Sequence, residues 1–206
     1  VRNERAFSTR FGVFSKPSRS GSSPSSVSSF LIRFCILLFY IPALPSPVIG
    51  QDADALYADR AHLPSAGAAV EILTNAFGDR PDDFPIAWKL ARAAYWLGEH
   101  AAQPDRRAFL ERGIAAAERA RRLAPDRPEG HFWAAANMGA LAESFGLRAG
   151  LRYRKPIKEA LDTVLTLDPA FMQGSADRAL GRWYFRVPRL FGGNKQTAER
   201  HLRASL

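Results

Sequence analysis

Small and apolar residues recur along three stretches of the chain in alternating steps of four and three residues. Such steps place the residues on one face of a helix, because positions three and four apart lie on the same side. A proline follows each stretch and ends the helix, since it has no backbone N–H and its ring clashes with the preceding turn. The stretches span residues 69–81, 113–125 and 157–169, and their final prolines are 44 residues apart each time. A fourth copy begins at Ala198 and reaches the chain end before any proline.

Aromatic residues between these stretches complete a helix-pair repeat. Trp88 and Tyr95 stand at matching positions of one intervening helix, and Leu180, Gly181 and Tyr184 repeat part of that frame in a later one. The pattern resembles the tetratricopeptide repeat, which is a helix–turn–helix unit that stacks on its neighbours. We therefore expect an all-α fold of tetratricopeptide-like antiparallel helix pairs in a short right-handed solenoid.

Helix-start signals agree with this division. Asp83 precedes Pro85, Asp126 precedes Glu129 in a capping-box arrangement, and Asn194 opens the last helix. Their side-chain oxygens can accept hydrogen bonds from the free N–H groups of the first turn. The 44-residue spacing exceeds the usual period of about 34 residues, so the helices or their joining turns must be longer. A generic bundle of alanine-rich helices is the alternative.

The N-terminal quarter has a different composition. Residues 1–29 contain a Ser/Pro/Gly-rich tract that cannot build a core, so we expect this segment to be disordered or wrongly assigned to the protein. Residues 30–50 combine a basic flank, a short apolar run and several prolines, as secretory signals do. We expect cleavage near Gly50 and an exported, periplasmic helical domain over 51–206. A retained membrane anchor at 30–50 is the alternative.

The net charge changes this picture little. The whole chain carries +9, but residues 1–50 hold six basic residues and one acidic residue, which leaves +4 for the body. A mildly basic domain without a Lys/Arg block among aromatics does not indicate a nucleic-acid partner. The single cysteine, Cys35, lies in the leader, so no disulfide can stabilise the body.

Catalytic and metal-binding motifs are missing from the sequence. The four histidines are not at metal-ligand spacing, and neither a phosphate-binding loop nor a nucleophile elbow occurs. The acidic pair at 82–83 stands where a helix begins, which favours capping over acid–base catalysis. We therefore predict that the chain is not an enzyme and that it needs no cofactor and no metal.

Three runs of sequence carry a closer family resemblance. They are WKLARA at 88–93, GHFWAA at 130–135 and DRALGRWYFRVP at 177–188, the last followed by Gly192-Gly193. They resemble the TatT family of periplasmic components of TRAP transporters, and they are similar to the eukaryotic regulators of microtubule dynamics. The secretory-like leader favours the bacterial family. Because TatT proteins continue with a further helix pair, the resemblance also implies that the chain is truncated at its C-terminus.

The TatT resemblance implies a function. The chain would cooperate with a TRAP-type solute-binding protein in the uptake of a small organic acid or amphiphilic ligand. A general tetratricopeptide scaffold for protein partners in the cell envelope is the alternative. A periplasmic solute-binding protein, another envelope protein, a small hydrophobic or anionic ligand and a homo-oligomer are the expected partners.

The candidate binding residues follow from the first helix of each pair, which lines the concave face in tetratricopeptide arrays. Steps of three and four along these helices give a groove of cations and aromatics: Lys89, Trp96, Glu129, Phe132, Arg178 and Arg182. Arginine can hold a carboxylate through two parallel hydrogen bonds, and aromatics can cover a hydrocarbon chain. A structural ion pair of Arg178 or Arg182 with Asp177 or Glu199 is the alternative for these two arginines.

Overall fold

The computed structural model describes residues 47–206, and in this part of the chain every regular element is a helix. Eight α-helices and one short 3-10 turn follow one another along it. They are α1 (Pro47–Ala58), α2 (Leu63–Asp79), α3 (Phe84–His100), α4 (Gln103–Leu123), α5 (Pro128–Ser144), α6 (Leu147–Leu167), α7 (Ser175–Arg186), the 3-10 turn (Arg189–Phe191) and α8 (Lys195–Ala204).

Each helix packs against the next one in the sequence. In addition α3 packs directly on α5, which brings the first helices of two successive pairs together. Helices α5 and α7 are likewise the first helices of two successive pairs, but they do not pack directly on each other. Sequential packing of helix pairs is the arrangement of a helical solenoid, and the predicted all-α fold is confirmed.

Small residues set how closely the helices approach. In the three complete copies, the repeat positions predicted to face the core are all buried: Ala69, Leu73, Ala76, Gly113, Ala117, Ala120, Ile157, Leu161 and Val164. In the fourth copy Ala198 is buried, but Leu202 is 45% exposed. At Gly130 in α5, an added Cβ would lie 2.8 Å from the backbone nitrogen of Arg121 in α4. The two backbones therefore touch, and a larger residue at this position would force the helices apart.

Two of the three predicted helix caps are present. The Asp83 carboxylate accepts a hydrogen bond from the Ile86 amide at 3.1 Å, and the Asn194 side chain accepts one from the Thr197 amide at the same distance. The predicted cap at Asp126 is wrong. Helix α5 begins at Pro128, so Arg127 occupies the capping position, and it has no side-chain oxygen to accept a hydrogen bond.

The predicted boundary between the leader and the helical domain lies close to the first described residue. Helix α1 begins at Pro47 and runs through Gly50, so the expected boundary near Gly50 lies within a helix. The predictions for residues 1–29 and for most of 30–50 lie outside the described residues. Within residues 47–206, no helix combines the length and the apolar character needed to cross a membrane.

His131, at the start of α5, is buried with only one of its two ring nitrogens hydrogen-bonded. Its Nε2 donates a hydrogen bond to the Pro125 carbonyl at 2.9 Å, whereas its Nδ1 is buried without a partner. Burial lowers the pKa of His131 below the ordinary value of 6.5, since protonation would place an unpaired N–H and a charge in this site.

The direction of this shift predicts acid sensitivity. A lowered pKa in the folded state gives stability that is complete above about pH 6.5 and is lost as the pH falls through the folded-state value. We expect the melting temperature to fall between about pH 7.5 and pH 5 by more in wild type than in His131→Gln. Glutamine keeps a donor for Pro125 but does not titrate. Equal losses in both proteins would contradict this role of His131.

Candidate functional site

An open pocket of about 630 Å³ lies between α5, α6, α7 and the 3-10 turn. Its floor is one face of α5, formed by Ala135, Ala136, Gly139 and Ala140. Because these side chains are small or absent, α5 leaves free the space that larger residues would fill. The pocket occupies the place where α5 and α7 do not pack directly.

Apolar side chains form most of the pocket walls. The contributing residues are Phe132 from α5, Leu147, Leu151, Ile157 and Leu161 from α6, Trp183 from α7, and Val187, Pro188 and Phe191 from the segment after α7. The Trp183 indole N–H donates a hydrogen bond to the Arg154 carbonyl at 2.9 Å, which fixes this ring against α6. These walls are thus apolar, and the indole N–H of Trp183 already has a hydrogen-bond acceptor.

Two adjacent glycines bring Phe191 to this wall. Gly192 has a φ of 104°, a conformation that L side chains rarely adopt. An added Cβ on Gly193 would collide with the Val187 carbonyl, so the chain can turn here only without a side chain. The Asn194 amide then donates to the Tyr184 carbonyl at 2.9 Å and closes the turn. The glycine pair at 192–193 therefore forms the turn between α7 and α8 and shapes one edge of the pocket.

An ion pair crosses the pocket from α7 to α5. The Arg182 Nε donates to Glu143 Oε1 at 2.7 Å, and Arg182 Nη2 contacts the second carboxylate oxygen. The hydrogen bond with Glu143 raises the pKa of Arg182, which therefore stays charged. Tyr95 and Glu99 from α3 line the same end of the pocket. Burial raises the pKa of Tyr95, so its hydroxyl stays neutral there.

Two further arginines line the pocket and have no ion-pair partner among the described residues. Arg154 lies on α6, and its guanidinium carbon is 4.9 Å from the centre of the Phe191 ring. Arg186 is exposed at the end of α7. Neither arginine was predicted to line a binding site. A further step of four from Arg182 would have reached Arg186, but Arg154 lies on a second helix, which the repeat pattern places outside the groove.

Of the six predicted groove residues, only Phe132 and Arg182 line this pocket. Lys89 instead binds the Asp54 carboxylate at 2.5 Å and helps to tie α3 to α1. The Trp96 indole donates to the Arg60 carbonyl at 2.9 Å. Helix α1 and the segment after it thus contact the face of α3 that was predicted to be open.

Glu129 and Arg178 also lie elsewhere. Glu129 pairs with Arg127 at 2.5 Å at the start of its own helix. Arg178 donates to the Met172 carbonyl at 3.0 Å and also contacts the Gln173 carbonyl. Met172 and Gln173 both have positive φ, so Arg178 supports a left-handed turn before α7. The predicted continuous groove is therefore divided, with its first part occupied by structural contacts.

The alternative ion-pair partners of the two arginines are engaged with other residues. Asp177 contacts His201 Nδ1 at 2.7 Å, and Glu199 pairs with Arg203 at 2.7 Å. Arg182 does form an ion pair, but with Glu143, which is 39 positions away in sequence.

The arrangement suits binding. Its apolar floor and walls can cover a hydrocarbon body, and its arginines can hold an anionic group. In the part of the chain that the structure describes, no group of three His, Cys, Asp or Glu residues could hold a metal ion. The absence of enzymatic activity stays a prediction.

The comparison with protein families changes the interpretation of the whole chain. The family model for regulator of microtubule dynamics proteins 1-3 matches residues 49–202. No curated protein matches the chain. The match overturns the assignment to the tetratricopeptide-repeat and TatT families. With it fall the predicted TRAP function and the envelope-scaffold alternative. The same match overturns the predicted export to the periplasm. The match covers most of the chain, which therefore belongs to the regulator of microtubule dynamics family.

Proposed function

We propose that this protein binds an amphiphilic anion, with a hydrocarbon body and a carboxylate-like head, in the pocket between α5, α6 and α7, and that it does so without catalysis. The observation that carries the proposal is the open space of about 630 Å³ over a floor of alanine and glycine. Ligand sites in proteins have volumes of about 300–1,000 Å³ and are lined mainly by apolar groups with a few polar ones.

The apolar lining supplies most of the binding energy. Each buried methylene contributes about 0.8 kcal/mol, so roughly six methylenes between α5 and Trp183 contribute about 5 kcal/mol. This amount offsets much of the cost of immobilising a small molecule. A purely polar ligand would leave the floor and the walls uncovered.

The arginines select the sign of the head group. Arg154 and Arg186 can reach an anion directly because they have no ion-pair partner among the described residues. Arg182 can reach it only in competition with the Glu143 carboxylate. An anionic head at the Arg186 end of the pocket is therefore favoured over a cationic or neutral one.

Calorimetry with a matched pair of ligands tests this proposal. Dodecanoate and dodecan-1-ol share a hydrocarbon chain and differ in the charge of the head. We expect dodecanoate to bind more tightly, with a negative heat-capacity change from apolar burial. If neither ligand binds, the proposal is wrong. If the alcohol binds as tightly as the carboxylate, the assigned role of the arginines is wrong.

Replacing Glu143 and replacing Arg182 both break their ion pair, but the two changes should have opposite effects on dodecanoate affinity. Glu143→Gln removes the competing carboxylate and should strengthen dodecanoate binding about five-fold, whereas Arg182→Ala leaves Glu143 unpaired in the pocket and should weaken it by a similar factor. Glu129→Gln, which breaks a pair outside the pocket, serves as the control in the same calorimetric titration. Changes in the same direction for both variants would show that the pair acts only through the fold.

The family name links this binding to regulation of microtubule dynamics. We propose that the chain contributes to such regulation and that the occupied and empty pockets differ in this effect. Tubulin assembly followed by turbidity, with the protein alone and with dodecanoate, tests this link. An assembly curve that is unchanged by the protein in both states would refute it.

A further inference from the structure

The first half of α6 lies at the surface of the domain. The buried residues of α6 begin at Ile157, and none of residues 147–156 is buried. Two leucines on this half, Leu147 and Leu151, are 76% and 42% exposed and stand one helical turn apart. Both line the pocket, so they lie at its mouth. Apolar side chains grouped at such an opening indicate a surface that another apolar phase covers.

The 3-10 turn exposes a third apolar residue, next in sequence to one that lines the pocket. Leu190 is 87% exposed. Its neighbour Phe191 lines the pocket and contacts the guanidinium of Arg154 from α6. The turn and the first half of α6 therefore meet across the opening.

The charged residues in the two segments that carry these leucines are all basic. Residues 144–158 and 178–198 contain no acidic residue. Exposed arginines flank the leucines at 148 and 152 on α6 and at 186 and 189 beside the turn. None of the four has an ion-pair partner within residues 52–206. We call Leu147, Leu151 and Leu190, together with Arg148, Arg152 and Arg189, the mouth surface.

We infer that the mouth surface docks on an anionic lipid bilayer, so that the pocket opens toward the lipid from which it takes its amphiphile. This inference rests on the proposed function, because it names the source of the ligand. Leucines on a basic helical segment enter the acyl boundary while the cations remain among anionic headgroups. An acidic protein would match the arginines but would leave the three leucines without an apolar phase, so a bilayer fits better.

A local probe is needed because the apolar stretch at 30–50 can itself bind vesicles. Leu190→Cys in a Cys35→Ser background carries an environment-sensitive nitrobenzoxadiazole label at the mouth. The label should shift to the blue with phosphatidylcholine vesicles containing about 30% phosphatidylserine. The same label at Leu63, an exposed leucine at the start of α2, is the control and should not shift. No shift at position 190, or equal shifts at both positions, overturns the inference.

Charge reversal tests the electrostatic part. Arg148→Glu with Arg152→Glu should weaken the vesicle titration of the labelled protein at least about ten-fold. Arg112→Glu with Arg122→Glu, on exposed positions of α4, makes the same change of charge and should have little effect. Melting curves establish that both variants fold. A shift of the label with polyglutamate but not with vesicles would identify an acidic protein as the partner and overturn the bilayer.

The two proposals can fail separately. Calorimetry with dodecanoate in the absence of vesicles tests the pocket alone, and the Leu190 label tests docking alone. If dodecanoate does not bind, the proposed function is lost and the bilayer is no longer a source of ligand. If dodecanoate binds and the label is unaffected by vesicles, only the docking inference is overturned.

Discussion

Ala117→Trp is expected to lower the melting temperature of the domain by roughly 6–12 °C, the largest stability effect that the repeat frame predicts. Ala117 lies on α4, which packs against both α3 and α5, and its side chain is 0% exposed. An indole at this position has no space unless the helices separate. Overpacking of this size costs about 3 kcal/mol or more, a large part of ordinary folding stability.

The matched control is Ala115→Trp, which places the same side chain on an exposed position of the same helix. A surface substitution usually changes stability by less than about 0.5 kcal/mol. Thermal unfolding followed by circular dichroism measures both variants. Equal melting temperatures would contradict the assignment of the buried face of α4.

The fold could be predicted because the residue patterns that specify each helix lie within a short stretch of sequence. The four-and-three steps of small residues mark the faces that are buried, and a proline near the end of each stretch agrees with where α2, α4 and α6 end. The failure at Asp126 was also local. The chain there could cap α5 with its aspartate, but Pro128 sets the start of the helix one residue later.

The site was harder to predict because it depends on contacts between distant segments. Lys89 and Trp96 were placed in the groove from their spacing on α3 alone. Their partners, Asp54 and Arg60, lie more than thirty positions earlier, on and just after a helix adjoining the supposed leader. No periodicity within α3 reveals that another element contacts this face.

For the same reason, Arg182 was predicted from the sequence but its partner Glu143 was not. A helical step of four residues from Arg178 reaches Arg182 on the same face of α7, whereas the carboxylate comes from the far end of α5. The pocket itself depends on the small side chains of α5, which leave space unfilled. Alanine and glycine on a helix predict close packing as readily as open space, and only the position of α7 decides between them.

The wrong family assignment came from the leader. The repeat residues resembled two families with long helix pairs, so they did not separate a bacterial transporter component from a regulator of microtubule dynamics. The apolar stretch at 30–50 decided the choice, because a basic flank and a short apolar run are shared by several kinds of targeting segment. The match over residues 49–202 depends on the helical body and includes only the last two residues of that stretch.

Filling the pocket from two sides is expected to abolish ligand binding and to preserve the fold. Gly139 on α5 and Gly150 on α6 both line the pocket, and an added Cβ at either position meets nothing within 4 Å. In Gly139→Leu with Gly150→Leu, two side chains enter the space that a hydrocarbon chain would occupy. The ligand then loses the burial of an apolar surface equal to that of two leucine side chains. This loss costs about 3 kcal/mol or more of binding free energy, which lowers affinity about a hundred-fold or more.

The control for this variant is Gly67→Leu with Gly78→Leu, two positions on α2 outside the pocket where an added Cβ is equally free. Each glycine replaced within a helix removes a propensity cost of up to about 1 kcal/mol, so neither double variant should melt earlier than wild type. Dodecanoate calorimetry should therefore separate two proteins of similar stability, since only the α2 variant keeps the pocket. If the pocket variant binds dodecanoate as wild type does, the ligand lies elsewhere and the site between α5, α6 and α7 is wrongly assigned. If it binds nothing and still melts normally, the loss is due to the filled space, because every other contact of the domain is unchanged.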